Sequence, residues 1–568
     1  MFIRLNKSGG HTYLQLAESF RDEQGRPRNR VVATLGRMDA LEGKLDTLLN
    51  GLLKVTGRPE AGPAPTVEFE SAKALGDVWV LQQLWEQLGF DGLARLFRQT
   101  RRRGFDAEQM LRVMVFNRLC DPASKLGVLR WLETVAMPKV DVASVTHDHL
   151  LRAMDDWIEH EEQVQQRMAG FLRPLIDAEL SVVFYDLTTI EVFGESELEH
   201  DVRAYGRSKR DTIDRQFALG LVQTADGLPI AYEVFEGNVA ETTTLMPMVA
   251  KVAERFKVTR VVLVADRGLL SMDNLEQLCQ CVLPSGQPLE FILAVPARRY
   301  VEFAPIVEKI GSDQPTWVAH CSWLPADGME RKPHLRLVVA HDGKQAELAT
   351  RRRREQIAEL EALGEKWAGK LEGQEVGAKA RGRKLSNSGA KALFYHAVAE
   401  AHLSSVIQVD MKEELFTYTV NEQVLQRLES LDGKLVVLTN VTDLDPQATI
   451  DRYKSLADIE RGFRVLKSEI EIGPVFHRLP QRIRAHAGIC FMALVLYRVM
   501  RMRLHKSDTG LSPTRAMEML RKIQYHQVRL NGAKPVQGIS RINDLQSRLL
   551  RALNSDKPTL DDQLCLPL

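Results

Sequence analysis

SVVFYDLTTI, residues 181–190, runs an apolar strand into a single aspartate, Asp186, and TRVVLVADRG, residues 259–268, does the same at Asp266. Short apolar runs bounded by turn residues read as strands buried on both faces, so each acid stands at the exposed end of a buried strand. Between them lie RQFALGLVQTADG and LPIAYEVFEGN, joined across the turn residues Asp226 and Gly227, and then helical spacing from Glu241 to Phe256. EFILAVP adds one more strand.

Three antiparallel strands, a helix and a strand with a second acid match the start of a ribonuclease-H-like sheet. A third acid lies far downstream, where Tyr453, Glu460 and Lys467 recur every seven residues. If Ile450 to Ile470 is one helix, then Ile459, Phe463, Leu466 and Ile470 fall at i, i+4, i+7 and i+11 and form its buried face. Glu460 lies off that face. At about 100° per residue, Tyr453 and Lys467 project within roughly 20° of Glu460, and Arg464 about 40° away. Asp186, Asp266 and Glu460 together suggest a three-carboxylate site. Such a set suits two hard cations about 4 Å apart, one activating the attacking oxygen of a phosphodiester reaction and one supporting the leaving oxygen.

The 568 residues carry a net charge of only +1. Its distribution is uneven: from Arg452 to Arg529 there are sixteen Lys and Arg against six Asp and Glu, 16 − 6 = +10, so the remainder is net acidic. A local positive surface of this kind neutralises backbone phosphates and releases counterions. The six cysteines form no C-x-x-C pair, as expected of reduced thiols in a cytoplasmic protein. MFIRLNKSGG lacks the apolar core of a signal peptide, and AGICFMALVLY is too short and too closely followed by arginines to read as a membrane span.

Along the chain, residues 1–60 read as a small β-hairpin module, HTYLQLAESF and RNRVVATLG flanking DEQGRPR, with GRPEAGPAPT as a linker. Residues 72–176 read as a helical, DNA-binding domain, 181–296 as the first part of the core, and 297–441 as a mainly β insertion in which LRLVVAH, SSVIQVD, LFTYTV and KLVVLTN are strands and a charged helix begins at RRRRE. Residues 449–510 supply the second part of the core, and 511–568 a helical tail. The fold class is thus α/β multidomain. Three basic runs, Arg101 to Arg103, Arg351 to Arg354 and Lys379 to Lys384, read first as solvated surface, with DNA contact as the alternative.

The helix segment YKSLADIERGFRVLK resembles the Y-x2-R-x3-E-x6-K signature of one branch of the DDE transposases of bacterial insertion sequences. Tyr453, Glu460 and Lys467 match in type and spacing, and Leu456 takes the arginine position. The resemblance extends to YDLTTI at Asp186, VFEGN, VADRG at Asp266, LCDPASKL in the helical region and PVFHRLPQRIRAH after the glutamate. It implies a cut-and-paste transposase in which Asp186, Asp266 and Glu460 are catalytic and hold two Mg²⁺ ions, with Mn²⁺ able to substitute. It further implies double-stranded DNA partners, namely terminal inverted repeats and target, hairpin ends, a homodimer in the synaptic complex and no membrane role. Tyr453 and Lys467 would position end phosphates. Charge and nearness in sequence add Arg464, Arg478, Arg482 and Arg484 as DNA contacts.

Bland roles stand beside these. Half-buried packing is the alternative for Tyr453, since aromatics commonly fill helix interfaces. His477 and His486 form no zinc pattern and read as a backbone contact or a satisfied helix partner. His147 and His149 in THDHL read as capping or surface residues. For Trp317 and Trp323 core packing is preferred over stacking on an unpaired base. Two competing functions remain: a haloacid-dehalogenase-like phosphohydrolase with Asp186 as nucleophile, and a DNA-binding regulator that has lost catalysis. The first lacks a second acid at Thr188 and leaves Glu460 unexplained; the second has no support while all three acids are present.

Overall fold

The computed structural model describes residues 1–57, 67–100, 104–176, 183–194, 201–207, 213–256, 260–265, 272–283, 285–303, 307, 316–321, 335–375, 385–530 and 532–559. The chain divides into two compact units, one built on Met1–Ala72 with His526–Gly538, the other on Lys73–Tyr525 with Ile539–Thr559.

The first unit begins with three antiparallel strands, β1 (Phe2–Ser8), β2 (His11–Arg21) and β3 (Pro27–Arg37), followed by a helix at Leu45–Val55. The expected hairpin is therefore the second half of a three-stranded sheet. FIRLNKS pairs with β2 from Phe2↔Ala17 to Ser8↔His11 across Gly9-Gly10, a two-residue turn whose positive φ angles of 58° and 78° suit glycine. Strand β4 (Val67–Ala74) follows.

The second unit opens with helices at Gly76–Gln87, Leu93–Thr100, Ala107–Cys120, Lys125–Thr134, His147–Glu159 and Glu161–Leu172. Side-chain caps set several starts: Asp106 accepts from the Glu108 and Gln109 amides, Ser124 from Gly127 and Thr146 from His149. The sheet then begins with β5 (Val183–Glu191), β6 (Ala204–Arg207), β7 (Ile213–Thr224) and β8 (Pro229–Glu236). After the helix Glu241–Phe256 come β9 (Val262–Ala265), the helix Met272–Gln280 and β10 (Glu290–Ala294). Strands β5, β9 and β10 are mutually parallel, whereas β7 runs antiparallel to β5 and to β8. All of β9 and two thirds of β5 and β7 are buried, which explains their largely apolar texture.

The region after β10 corrects the expectation of a mainly β insertion. Its strands β11 (Thr316–Cys321) and β12 (Leu335–His341) extend the main sheet instead of forming a separate one. A 33-residue helix, Gly343–Glu375, and another at Asn387–Glu400 follow. Beyond them lie a short hairpin of β13 (Ile407–Val409) and β14 (Tyr418–Val420), a helix at Glu422–Leu431, and β15 (Lys434–Thr439), which pairs with β10 and β12. The long helix is rich in Ala, Glu, Leu, Lys and Arg, all strong helix formers, but its charges leave only a weak apolar stripe for periodicity to detect. Its arginine run is held within this subdomain: Arg353 pairs with Asp432 at 2.6 Å, and Arg354 with Glu429 at 2.6 Å. Phe394, Val398, Val406 and Ile407 form a core separate from the main one.

Helices at Pro446–Lys454, Ala457–Ser468, Pro480–Lys506 and Pro513–Leu520 precede β16 (Gln524–Leu530) and β17 (Val536–Ile539), and the helix Asp544–Ala552 follows. The expected helical tail thus contains two strands, which form the sheet β17-β16-β4. QYHQVRL is half-exposed and mostly polar, so its strand character depends on a partner from the start of the chain. The 27-residue helix Pro480–Lys506 has the length and composition of a membrane span, yet 94% of its apolar window is buried inside the protein. It packs against the helices Ala107–Cys120 and His147–Glu159 and against β8, so one continuous core joins the helical region to the sheet.

Candidate active site

Asp186 is the fourth residue of the nine-residue β5, so it stands inside the strand and not at its end as the sequence pattern suggests. Its neighbour β9 pairs with β5 through Val183↔Leu263, Phe184↔Val264 and Tyr185↔Ala265, while β7 pairs with β5 as far as Glu191↔Gln216. Asp186 is half-buried, and its Oδ1 accepts the Leu187 amide at 2.7 Å. The preceding Tyr185 is fully buried and donates its hydroxyl to Thr244 Oγ1 at 2.7 Å, tying β5 to the helix Glu241–Phe256. Asp266 lies outside the described residues, as do Arg101 to Arg103, Lys379 to Lys384 and Trp323.

The helix expected from Ile450 to Ile470 is two helices. The first ends at Lys454, the second starts at Ala457, and between them Ser455 returns its amide and hydroxyl to the Asp451 carbonyl while the Leu456 side chain is buried. Tyr453 and Glu460 therefore belong to different helices. Tyr453 is half-buried and packs on the main core. Glu460 lies in the second helix, with its side chain outside the described residues. That helix buries Phe463, Val465 and Leu466, leaves Arg464 and Lys467 exposed, and packs against β5 and the helix Pro480–Lys506. Gly462 approaches buried Gln223 of β7 and Arg498 so closely that a β-carbon there would overlap them. The glutamate helix is thus seated against β5, the strand that carries Asp186, and against Gln223 of the adjoining β7.

Of the added arginines, Arg478 is exposed. Arg482 forms a two-pronged pair with Asp155 at 2.8 and 2.9 Å, and Arg484 donates to the Val234 carbonyl at 3.1 Å and lies 3.7 Å from Glu233. These two guanidinium groups are engaged in holding the helix Pro480–Lys506 to its neighbours. His486 Nε2 hydrogen-bonds the Ile472 carbonyl at 2.8 Å. His149 stacks on Phe105 and contacts the Ser144 carbonyl at 3.0 Å.

The donor set expected for a metal is all carboxylate oxygen, which fits Mg²⁺ or Mn²⁺ and not a thiolate or imidazole metal. The half-exposed Asp186 carboxylate, one residue beyond the Tyr185↔Ala265 pair, fits that use. Among the described residues no three His, Cys, Asp or Glu side chains cluster closely enough to hold an ion by themselves. Sequence reasoning did not assign roles to Arg118, Lys125, Gln223 or Gly462; the LCDPASKL motif, which contains Lys125 and directly follows Arg118, was the one signal for the first two.

Residues 177–496, more than half of the chain, match the family described as the transposase DDE domain. The chain belongs to the DDE transposases. Residues 3–65 match the N-terminal domain of the IS1634 family transposases, which places it among those of insertion sequences. No curated protein matches the chain. Among solved structures, a piggyBac transposase synaptic complex with hairpin DNA aligns at 9% identity over 78% of this chain and 79% of that one, with a TM-score of 0.36, too low to carry an argument.

Proposed function

We propose that this transposase moves its element by cut-and-paste, using a ribonuclease-H-like core assembled from residues 181–296 and 449–510 around Asp186, Asp266 and Glu460. The observation that carries the reading is the β5–β9 register: Tyr185 lies opposite Ala265, so the next residues in the chain, Asp186 and Asp266, each follow by one peptide unit of about 3.8 Å. The order β8-β7-β5-β9-β10, antiparallel and then parallel, supports the core assignment, and the packing of Ala457–Ser468 on β5 supports a place for Glu460 in the same site.

The three carboxylates would hold two Mg²⁺ ions, or Mn²⁺, which when bound activate the attacking oxygen and neutralise charge on the scissile phosphate. Exposed Arg464 and Lys467, on the helix of Glu460, hold flanking phosphates, and Arg478 adds a further cation. Hydrolysis at the element's end releases a 3′ hydroxyl. Its attack on the opposite strand gives a hairpin, and after the hairpin is reopened the same hydroxyl joins target DNA. Two ends joined in one event call for a homodimer, acting in the cytoplasm on chromosomal DNA.

The test is strand cleavage of a duplex carrying the inverted repeats that flank the reading frame, with Mg²⁺ and with EDTA. Mg²⁺-dependent nicking by the native protein and none by Asp186→Asn is the expected result. Release of phosphate from small esters without any nicking of DNA would overturn the reading in favour of a phosphohydrolase.

A further inference from the structure

Two motifs that hold none of the three carboxylates meet in space. LCDPASKL, at the start of the helix Lys125–Thr134, and PVFHRLPQRIRAH, leading into the helix Pro480–Lys506, together line a cavity of about 600 Å³. Its wall is basic: Arg118 and Lys125 are buried at 6 and 7% exposure, exposed Arg478 joins them, and the imidazoles of His477 and buried His486 complete it. Arg118 is oriented by backbone carbonyls, donating to Glu471 at 3.1 Å and also to Ala123. Its Nε, and His486 Nδ1, are buried without a hydrogen-bond partner among the described residues.

The carboxylates near this wall do not neutralise it. Asp155 is taken by Arg482, Asp148 pairs with Arg152 at 2.8 Å, and Glu471 is exposed to water. Burial and the neighbouring cations push the Lys125 ammonium down to about 7 and the His477 imidazole to about 3, so the arginines carry the fixed charge of this wall and Lys125 gains its proton fully only when an anion arrives. Buried charge of one sign is unfavourable unless a partner of the other sign arrives. At the rim, Phe476 is 70% exposed and stacks in parallel on Phe193, with ring centroids 5.0 Å apart and planes 6° from each other.

We propose that this cavity is a second nucleic-acid subsite, separate from the carboxylates, which seats a backbone phosphate of an unpaired DNA strand among Arg118, Lys125 and Arg478 and stacks a base on Phe476. Phosphate supplies the missing negative charge. An exposed aromatic face beside a cationic groove is the arrangement that holds unpaired strands without regard to sequence. The proposal rests on the chain being a DNA enzyme but not on its cleavage chemistry.

The probe is a short single-stranded oligonucleotide with one 2-aminopurine, titrated in EDTA so that binding is read without cleavage. Quenching of 2-aminopurine by the native protein, lost in Phe476→Ala, is expected. Lys125→Met and Arg478→Ala should each weaken binding roughly tenfold and lower the slope of log K against log salt by about one. Phe476 and Arg478 are exposed, so their variants decide the matter if Lys125→Met does not fold. Native affinity, salt slope and quenching in folded Phe476→Ala and Arg478→Ala would overturn the proposal. A thermal shift with inorganic phosphate that Lys125→Met abolishes, with oligonucleotide binding unchanged, would also overturn it, by making the cavity a free-phosphate site. Loss of nicking in Asp186→Asn with these binding results intact separates this subsite from the cleavage reading.

Discussion

Gly462, in the helix of Glu460, lies against the fully buried amide of Gln223 on β7, with Arg498 Nη2 3.1 Å from where a β-carbon would stand. Gln223 has no solvent to swing into, so an added methyl must displace the helix. Gly462→Ala should lower stability by about 1–3 kcal/mol, the usual range for overpacking. Strand cleavage should fall further than that loss explains, because the shifted helix carries Glu460. Urea denaturation beside a nicking assay separates the two effects; unchanged cleavage would show that the close approach is not needed to place the glutamate.

Asp186→Asn keeps the size and shape of the side chain while removing the charge that a hard cation requires. The half-buried residue has its Oδ1 on the Leu187 amide, an acceptor that asparagine retains. Cleavage should therefore vanish while affinity for end DNA stays within about twofold, since phosphate contacts dominate affinity. Gel-shift and nicking assays on the same preparation check this.

Arg482 and Lys467 should behave oppositely. The two-pronged Arg482–Asp155 pair links two core helices, so Arg482→Gln should reduce stability by about 1 kcal/mol, discounted for its partial exposure, with little change in DNA affinity. Lys467 is exposed, so Lys467→Ala should leave the thermal midpoint in place and reduce the salt dependence of DNA binding by about one unit of slope. Calorimetry and salt titrations of both variants decide the assignment.

His477 gives the fold an acid sensitivity. Burial, with Lys125 and Arg482 nearby, pushes its pKa down to about 3 from an ordinary 6.5. Above pH 6.5 both folded and unfolded chains hold it neutral. As pH falls below 6.5 the unfolded chain takes up a proton that the folded one refuses until about 3, so stability is lost across that window. The loss at pH 5 should be on the order of 1 kcal/mol after allowance for partial exposure. His477→Gln should flatten the fall in urea midpoint between pH 7 and pH 5; an unchanged slope would assign the sensitivity to other groups.

Much of the sheet was legible because a strand buried on both faces has to be apolar along its whole length. VVFYD and VVLVAD, with their single terminating acids, are the surviving trace of that constraint. The long helix Gly343–Glu375 was legible only from RRRRE onward, because a helix exposed around most of its circumference leaves little apolar period. β16 was harder still, being polar and half-exposed and depending on β4 from the opposite end of the chain.

Local sequence therefore determined where apolar strands run, which acids follow them, and that a basic segment surrounds the last acid, since burial and charge are properties of individual residues. Only tertiary packing decided that the signature helix breaks at Ser455 and Leu456, because burying Leu456 in a turn uses contacts from distant elements. Packing likewise engaged Arg482 with Asp155 and gathered Arg118, Lys125 and His486 into one cavity. Such pairings join residues hundreds of positions apart, and no periodicity along the chain records them.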